Sequence, residues 1–469
     1  MTTDMPNVVL AVMDTARVDR FGCYGYERPT TPTVDALAGE GMLAESMISN
    51  APWTLPSHAS LFSSLYPSQH GSQWQTGPQL RESVTVTMAE WFRSIGYDTI
   101  CATNNGLISD RTKLARGFDK YAFRLDLEQG RRRVARRIKK VLFGGDSGGL
   151  IINDWINQTV QGGTKPKFLF VNYLECHWAY VPPRKFEKRV GGPRFGFVEG
   201  AKYRGGVARS SGPWEAIARA DERTLDIYST LYDGELANAD DHVKDLVEII
   251  ENAGMTAENT LLLVTSDHGE HLGEFGLADH HASLDDLLIH VPFVARGPGI
   301  APGHRKDGIY ELVDVWPSLC RALGRDVPVE EMRARRSDLL TSESPDASTD
   351  NGYAFSEWRS WSEKERTRLA QRNPSFDFSG LGVDLVSARD ERFKLVRMTG
   401  IKDQLFDLET DPEEKVDVAA LWPREMQRLQ TALDQRAEEW MSWEERESTP
   451  LSGEDEAEIE KRLAALGYI

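Results

Sequence analysis

A hydroxyl side chain at a helix start, acid-bearing strand ends and a set of histidines are the parts of this sequence whose types and spacing could do chemistry. In Asn50-Ala-Pro-Trp-Thr-Leu-Pro-Ser-His-Ala-Ser-Leu-Phe62, Pro56 suits the first turn of a helix and Thr54 its N-terminal cap, with Leu61, Phe62 and Leu65 on one helical face. At a helix N-terminus, unpaired backbone N–H groups and the positive end of the dipole favour an anion such as a sulfate or phosphate ester. They would also stabilise an ionised Thr54 hydroxyl. A Thr that only caps its helix would read the same on this stretch alone.

Four apolar runs end in residues of this kind. The run 7–13 ends at Asp14, 98–103 at Asn104 and Asn105, 168–173 before Glu175 and His177, and 260–265 before Asp267 and His268. Continuous apolar runs suit strands buried on both faces of a parallel sheet, and ligands bind beyond the carboxyl ends of such strands. The four tips are therefore expected to converge on one site. Helices are expected at 33–40, capped by Thr33, at 86–95, along one continuous stretch from 214 to 253, and at 314–323. The predicted fold is α/β: a mostly parallel sheet flanked by helices over residues 1–379, then a small antiparallel α+β subdomain over 380–469. In that subdomain strands are read near 383–389, 393–397 and 404–408, and a helix over 423–440.

With 469 residues, 40% of them hydrophobic, the chain can bury a large core, and disorder throughout is excluded. A net charge of -18 argues against nucleic acid as a partner across the surface. Cys23, Cys101, Cys176 and Cys320 are widely spaced, which points to a reducing compartment rather than a disulfide framework. No leader-like segment and no run of about 18 apolar residues is found, so a cytoplasmic protein without a transmembrane segment is expected. The basic stretch 131–143 has an amphipathic pattern that could lie on an anionic membrane, or equally pack as a solvated helix on its own domain. The Gly-, Arg- and Lys-rich stretch 183–212 reads as a loop bordering an anionic substrate, or as a mobile segment without function.

These motifs resemble the sulfatase family of the alkaline phosphatase superfamily over nearly the whole chain. Asn7-Val-Val-Leu-Ala-Val-Met-Asp-Thr-Ala-Arg resembles its first metal-ligand segment, Thr54-Leu-Pro-Ser-His its nucleophile segment, and Thr265-Ser-Asp-His-Gly-Glu its second metal segment. Leu405-Phe-Asp-Leu-Glu-Thr-Asp-Pro-Glu-Glu resembles its C-terminal hairpin. The resemblance implies an alkaline-phosphatase-like fold and a divalent metal bound by Asp14, Thr54, Asp267 and His268. It implies catalytic roles for Thr54, for His58 in place of a supporting Arg, and for His177 and His281, which would stabilise charge or protonate the leaving group. Asn104, Asn105 and Glu175 fall on the substrate side.

The departures carry information too. The family converts Cys or Ser to formylglycine; Thr54 cannot become formylglycine and must act as an unmodified hydroxyl. Thr-x-Pro-x-His resembles instead the segment of the nucleotide pyrophosphatase/phosphodiesterase relatives. His268, where calcium-type members carry Asn, points to manganese or zinc, with magnesium and calcium open. A second metal would draw on Glu175, His177, His280 or His281. The implied activity is metal-dependent hydrolysis of sulfate or phosphate esters through Thr54. Its alternatives are a phosphodiesterase or phosphonate monoester hydrolase, a phospho- or sulfo-group transferase acting on a glycan or lipid, and a catalytically silent binding protein.

Overall fold

A computed structural model describes residues 5–73, 77–127, 145–191, 203, 212–329, 338–340 and 352–444. The basic stretch 131–143, most of the 183–212 loop and the acidic tail lie outside the described residues. The main sheet opens with β1 (Asn7–Met13), β2 (Met42–Ile48), β3 (Asp98–Thr103), β4 (Lys120–Phe123), β5 (Lys167–Tyr173) and β6 (Thr260–Thr265). A short hairpin follows, β7 (His271–Leu272) with β8 (Ala278–Asp279); then β9 (His290–Val291), β10 (Phe293–Arg296) and β11 (His304–Glu311) complete the main sheet.

Its order is β11-β2-β10-β6-β1-β5-β3-β4, with β9 beside β2. From β6 to β4 every pairing is parallel, so the carboxyl ends of β6, β1, β5 and β3 share one edge, in registers such as Val12 with Thr265, Met13 with Tyr173 and Thr103 with Asn172. The expected convergence of strand tips follows from this. Only β10 breaks the pattern in the path, running antiparallel to both β6 and β2. Val8, Leu10 and Val12 face one apolar layer and Val9, Ala11 and Met13 the other, which is why β1 reads as an uninterrupted apolar run. The first layer holds the helix Thr54–Ser63, all ten of whose residues are buried; the second holds Pro32–Glu40, Gly149–Thr159 and the long helix Glu222–Asn252.

Three local expectations are corrected. Thr54 is the first helical residue and Trp53 the cap, because Trp53 is the last residue with extended dihedrals. The helix expected from Thr33 starts at Pro32, and the backbone N–H groups of Thr33 and Val34 donate to Asp240 of the long helix, a carboxylate supplied from a distance where no local side chain caps. The continuous helix from 214 to 253 is two, Pro213–Ala218 and Glu222–Asn252, because Asp221 caps a new start by accepting from the N–H of Thr224 at 2.9 Å.

A second, antiparallel sheet joins β12 (Ala354–Trp358), β13 (Leu385–Arg389), β14 (Phe393–Met398) and β15 (Gln404–Asp407), with the helix Pro423–Glu444 packed on it. Its edge strand β12 lies upstream of residue 380. There the Ser356 hydroxyl donates to the Ser49 carbonyl at 2.6 Å and the Glu357 N–H to the Asn50 carbonyl at 2.9 Å, so the small sheet clamps the loop that leads to Thr54. No helix among the described residues is long and apolar enough to cross a membrane.

Candidate active site

Asp14, at the tip of β1, and Asp267 and His268, at the tip of β6, present ligand-type atoms that all lie within 4.8 Å of one another. The turn after Asp14 is tight. Thr15 takes a left-handed φ of 60°, held by its N–H donating to Asp267 Oδ1 at 3.2 Å and by the Tyr232 hydroxyl of the long helix donating to its carbonyl at 2.7 Å. On the other side, the Ser57 hydroxyl, one turn into the Thr54 helix, donates to the Asp267 carbonyl at 2.7 Å. Strand tip, turn and helix are thus fixed to one another around the same residue, Asp267.

Thr54 Oγ1 lies 3.2 Å from His268 Nε2 and 3.4 Å from Asn105 Nδ2. The opposite nitrogen, His268 Nδ1, is 2.8 Å from the Gly269 carbonyl, which can only accept, so Nδ1 carries the proton and Nε2 presents its lone pair toward Thr54. Asp14 Oδ2 accepts from Asn105 at 2.9 Å and from Asn172 at 3.1 Å. Its Oδ1, and Asp267 Oδ2, are fully buried and have no hydrogen-bond donor. Asp267 Oδ2 lies 3.3 Å from both His58 Nδ1 and His268 Nε2. Burial, then Asp267, lift the Asp14 pKa to about 6; against burial, His268 and His58 hold Asp267 well below the usual carboxylate range. Two dry carboxylate oxygens without donors, beside an imidazole locked as an acceptor, fit a divalent cation.

The remaining expected residues divide. His58 Nδ1 sits 3.0 Å from the Thr54 carbonyl, and its ring packs edge-on against Phe62 and Phe170. It touches Asp267 and the nucleophile's backbone, which makes it a positioning residue rather than one facing substrate; Asp267 raises its pKa against the effect of burial. Asn105, expected on the substrate side, instead ties Asp14 to Thr54. Asn104 is fully buried with both amide atoms unpartnered, and its backbone N–H is bonded to the Asn172 carbonyl at 3.1 Å. Glu175 departs from the substrate-side expectation: its Oε1 accepts the Gly149 N–H at 3.0 Å and lies 3.6 Å from His242 Nε2, because the chain after β5 turns that side chain toward the long helix.

His177 and His281 meet the centre through His280. Ring centroids are 4.4 Å apart for His268 and His280, 5.3 Å for His177 and His280, and 4.6 Å for His280 and His281. Burial, then His280, push His177 down to about 3, so it stands neutral, and its Nδ1 donates to the Trp178 carbonyl at 2.7 Å. His281 packs among Trp53, Trp358 and Trp361. Sequence reasoning missed Asn172 and Glu270. A lone Asn in the apolar run Phe168-Leu-Phe-Val-Asn-Tyr173 was the available signal for the first, and its place directly after His268 and Gly269 for the second.

The family profile described as Sulfatase matches residues 6–325. Among relatives, the uncharacterized sulfatase YidJ of Escherichia coli (strain K12) is 23% identical over 341 residues, 67% of this chain and 67% of that protein. The ulvan-active sulfatase of Formosa agariphila is 23% identical over 329 residues, which cover 70% of this chain but 56% of that protein. Among solved structures, the phosphonate monoester hydrolase of Agrobacterium radiobacter shares the fold, with a TM-score of 0.66, 20% identity, and coverage of 92% of this chain and 95% of the other.

Proposed function

The chain belongs to the sulfatase family of ester hydrolases, and on that premise we propose that it cleaves a sulfate or phosphate ester with unmodified Thr54 as nucleophile and a divalent cation held by Asp14, Thr54, Asp267 and His268. The observation that carries this reading is Thr54 Oγ1 at 3.2 Å from the lone-pair nitrogen of His268, buried at the first residue of its helix. When bound, the cation would polarise the ester oxygen and lower the pKa of the Thr54 hydroxyl.

Thr54 Oγ attacks sulfur or phosphorus in line, forming the Oγ–S or Oγ–P bond as the bond to the alcohol oxygen breaks, and the alcohol leaves with a proton. Water then attacks the same sulfur or phosphorus, releasing the acid and restoring the Thr54 hydroxyl. Asn105 keeps Thr54 and Asp14 in register, and His58 orients Asp267. His177 and His281, which meet the centre through His280, are the residues this reading assigns to the leaving oxygen. Manganese or zinc suits the imidazole-containing ligand set, with magnesium and calcium as the other arms of the test.

Thr54 also supports a second reading, hydrolysis at phosphorus. A formylglycine adduct can collapse by elimination, whereas an adduct on Thr54 must be cut at sulfur or phosphorus, which keeps phosphodiesters and phosphonate monoesters close. An acceptor alcohol on a glycan or lipid in place of water would make the same centre a transferase. The four free thiols favour a cytoplasmic location.

The test is turnover of matched nitrophenyl sulfate, phosphate, phosphodiester and phosphonate substrates by metal-stripped protein resupplied with each ion, beside Thr54→Ala. Sulfate turnover lost in Thr54→Ala supports the first reading, and a diester or phosphonate preference the second. Absence of turnover with every ion, and of transfer with added acceptor, would leave only a silent binding protein.

A further inference from the structure

His281 stands between the buried centre and a set of indoles. Its ring centroid lies 4.6 Å from that of His280, which is 4.4 Å from His268, and it also meets Trp358, Trp361 and Trp53 at 5.3, 5.4 and 5.8 Å. Trp53 directly precedes Thr54, so the path Thr54, His268, His280, His281, Trp53 returns to the nucleophile. Exposure rises along it. Thr54, His268 and His280 are fully buried, Trp53 and His281 are 7% and 8% exposed, and Trp361 is half-buried. His281, Trp53 and Trp361 are thus the outer members of the set.

Separate elements bring the indoles together. Trp53 is the last extended residue before the Thr54 helix, Trp358 ends β12, and Trp361 follows in the chain just after it. One residue before Trp358, the Glu357 N–H donates to the Asn50 carbonyl at 2.9 Å, which fixes β12 to the loop that carries Trp53. Trp361 meets Trp358 edge-on at 5.4 Å and is backed by Trp214 and Phe378 at 6.0 and 6.2 Å. Packing leaves one group unmet: the Trp358 indole N–H is buried without an acceptor, where a buried Trp ordinarily finds one. Among the described residues no Lys or Arg lies over these three indoles, whereas Arg392 lies over Trp422. Indoles carry one N–H each and no strong acceptor, so the hydroxyl hydrogens of a sugar ring would lose water here without gaining partners. A flat apolar ring asks only for area.

We propose that Trp53, Trp358 and Trp361 form the subsite for the alcohol half of the ester and select an uncharged alcohol with a flat apolar ring, of the phenol or naphthol class, over a polyhydroxylated one. The inference rests on reading Thr54 as the nucleophile and deepens that reading by naming a substrate class. With sulfur or phosphorus at Thr54, the leaving oxygen falls to His281 and the ring bonded to it to the indoles one contact further out. One acceptor on that alcohol meets the free Trp358 N–H. The small antiparallel sheet then takes part in specificity, because β12 supplies Trp358.

The experiment is binding to cation-loaded Thr54→Ala protein, in which the proposed nucleophile is gone, by titration calorimetry. The ligands are naphthyl sulfate and naphthyl phosphate against glucose sulfate and glucose phosphate, the latter esterified at the primary hydroxyl. Each naphthyl ester should bind about tenfold tighter than its glucose counterpart. Adding Trp361→Ala should remove that preference and Trp361→Phe should largely keep it, while Trp422→Ala, whose indole packs on Phe393, should leave it unchanged. Should Trp361→Ala not fold, nuclear magnetic resonance still decides: the indole N–H signals of Trp358 and Trp361 should shift on adding naphthyl sulfate or phosphate, and that of Trp422 should not. Equal binding of naphthyl and glucose esters, a preference that survives Trp361→Ala, or unmoved Trp358 and Trp361 signals would overturn the subsite. Failure here is distinguishable from failure of the proposed function: a Trp361-dependent naphthyl preference in a protein that cleaves no ester supports the subsite and sinks the function, whereas Thr54-dependent cleavage without that preference sinks only the subsite.

Discussion

Two triples, each of two acids and a histidine, lie near the carboxyl ends of the parallel strands, Asp14–Asp267–His268 and Asp146–Glu175–His242, and in each the ligand-type atoms fall within 4.8 Å of one another. They differ in what holds the imidazole. His268 gives its Nδ1 proton to the Gly269 carbonyl, so its lone pair faces Thr54 and two carboxylate oxygens are left without donors. His242 Nε2 faces Asp146 Oδ1 at 2.8 Å; although burial alone would lower its pKa, Asp146 and Glu175 push it up to about 9, which makes it an imidazolium in an ion pair. Glu175 is further satisfied by the Gly149 N–H. Two acids and a histidine do not define a metal centre. The backbone partner that fixes the tautomer, and the oxygens left unmet, do.

Breaking each triple should separate these roles. The largest effect is expected from Asp14→Asn or Asp267→Asn, which should lower kcat by roughly a thousandfold or more and release the bound cation, as read by steady-state assay and metal analysis. Asp146→Asn should leave kcat within about threefold of wild type, since it removes a partner of an ion pair and not a ligand.

The second triple should show its role in stability. His242→Gln is expected to cost about 3 kcal/mol at neutral pH in urea unfolding, because it leaves buried carboxylate unpaired. The pH dependence has a definite sign. The folded pKa of about 9 lies above the ordinary 6.5, so the stability contributed by His242 is fully present below pH 6.5 and is lost as pH rises through 9. Thermal unfolding across that window should decline in wild-type protein more steeply than in His242→Gln; parallel curves would refute the ion-pair reading. The smallest effect sharpens the first triple: Asn172→Leu, which removes one donor from Asp14 Oδ2, should weaken cation binding by about 10- to 100-fold in titration calorimetry without unfolding the protein.

The strand tips were legible because apolar runs buried on both faces stop where the chain leaves the sheet, so Asp14, Asp267 and His268 stood out by position alone. Direction was not legible. Glu175 occupies a strand tip as Asp267 does, yet it points to Gly149 and His242, and only the packing of the long helix decides that. Asn172 escaped because it sits inside a strand, where its side chain reaches Asp14 across the sheet. The small sheet's edge strand β12 was hidden by its polar residues: Ser356 and Glu357 break the apolar pattern, and they are the residues bonded to Ser49 and Ser68 at the nucleophile side of the main domain. The break between Pro213–Ala218 and Glu222–Asn252 was masked by an apolar periodicity that continues across it, although Asp221 and Thr224 carry the capping signal.

The most direct test of the central claim is to quench the metal-loaded enzyme during turnover of a slow sulfate, phosphodiester or phosphonate substrate and locate the covalent adduct by peptide mass spectrometry. The account predicts a sulfated or phosphorylated Thr54 that disappears in Thr54→Ala along with turnover. An adduct on another side chain, or turnover preserved in Thr54→Ala, would contradict it.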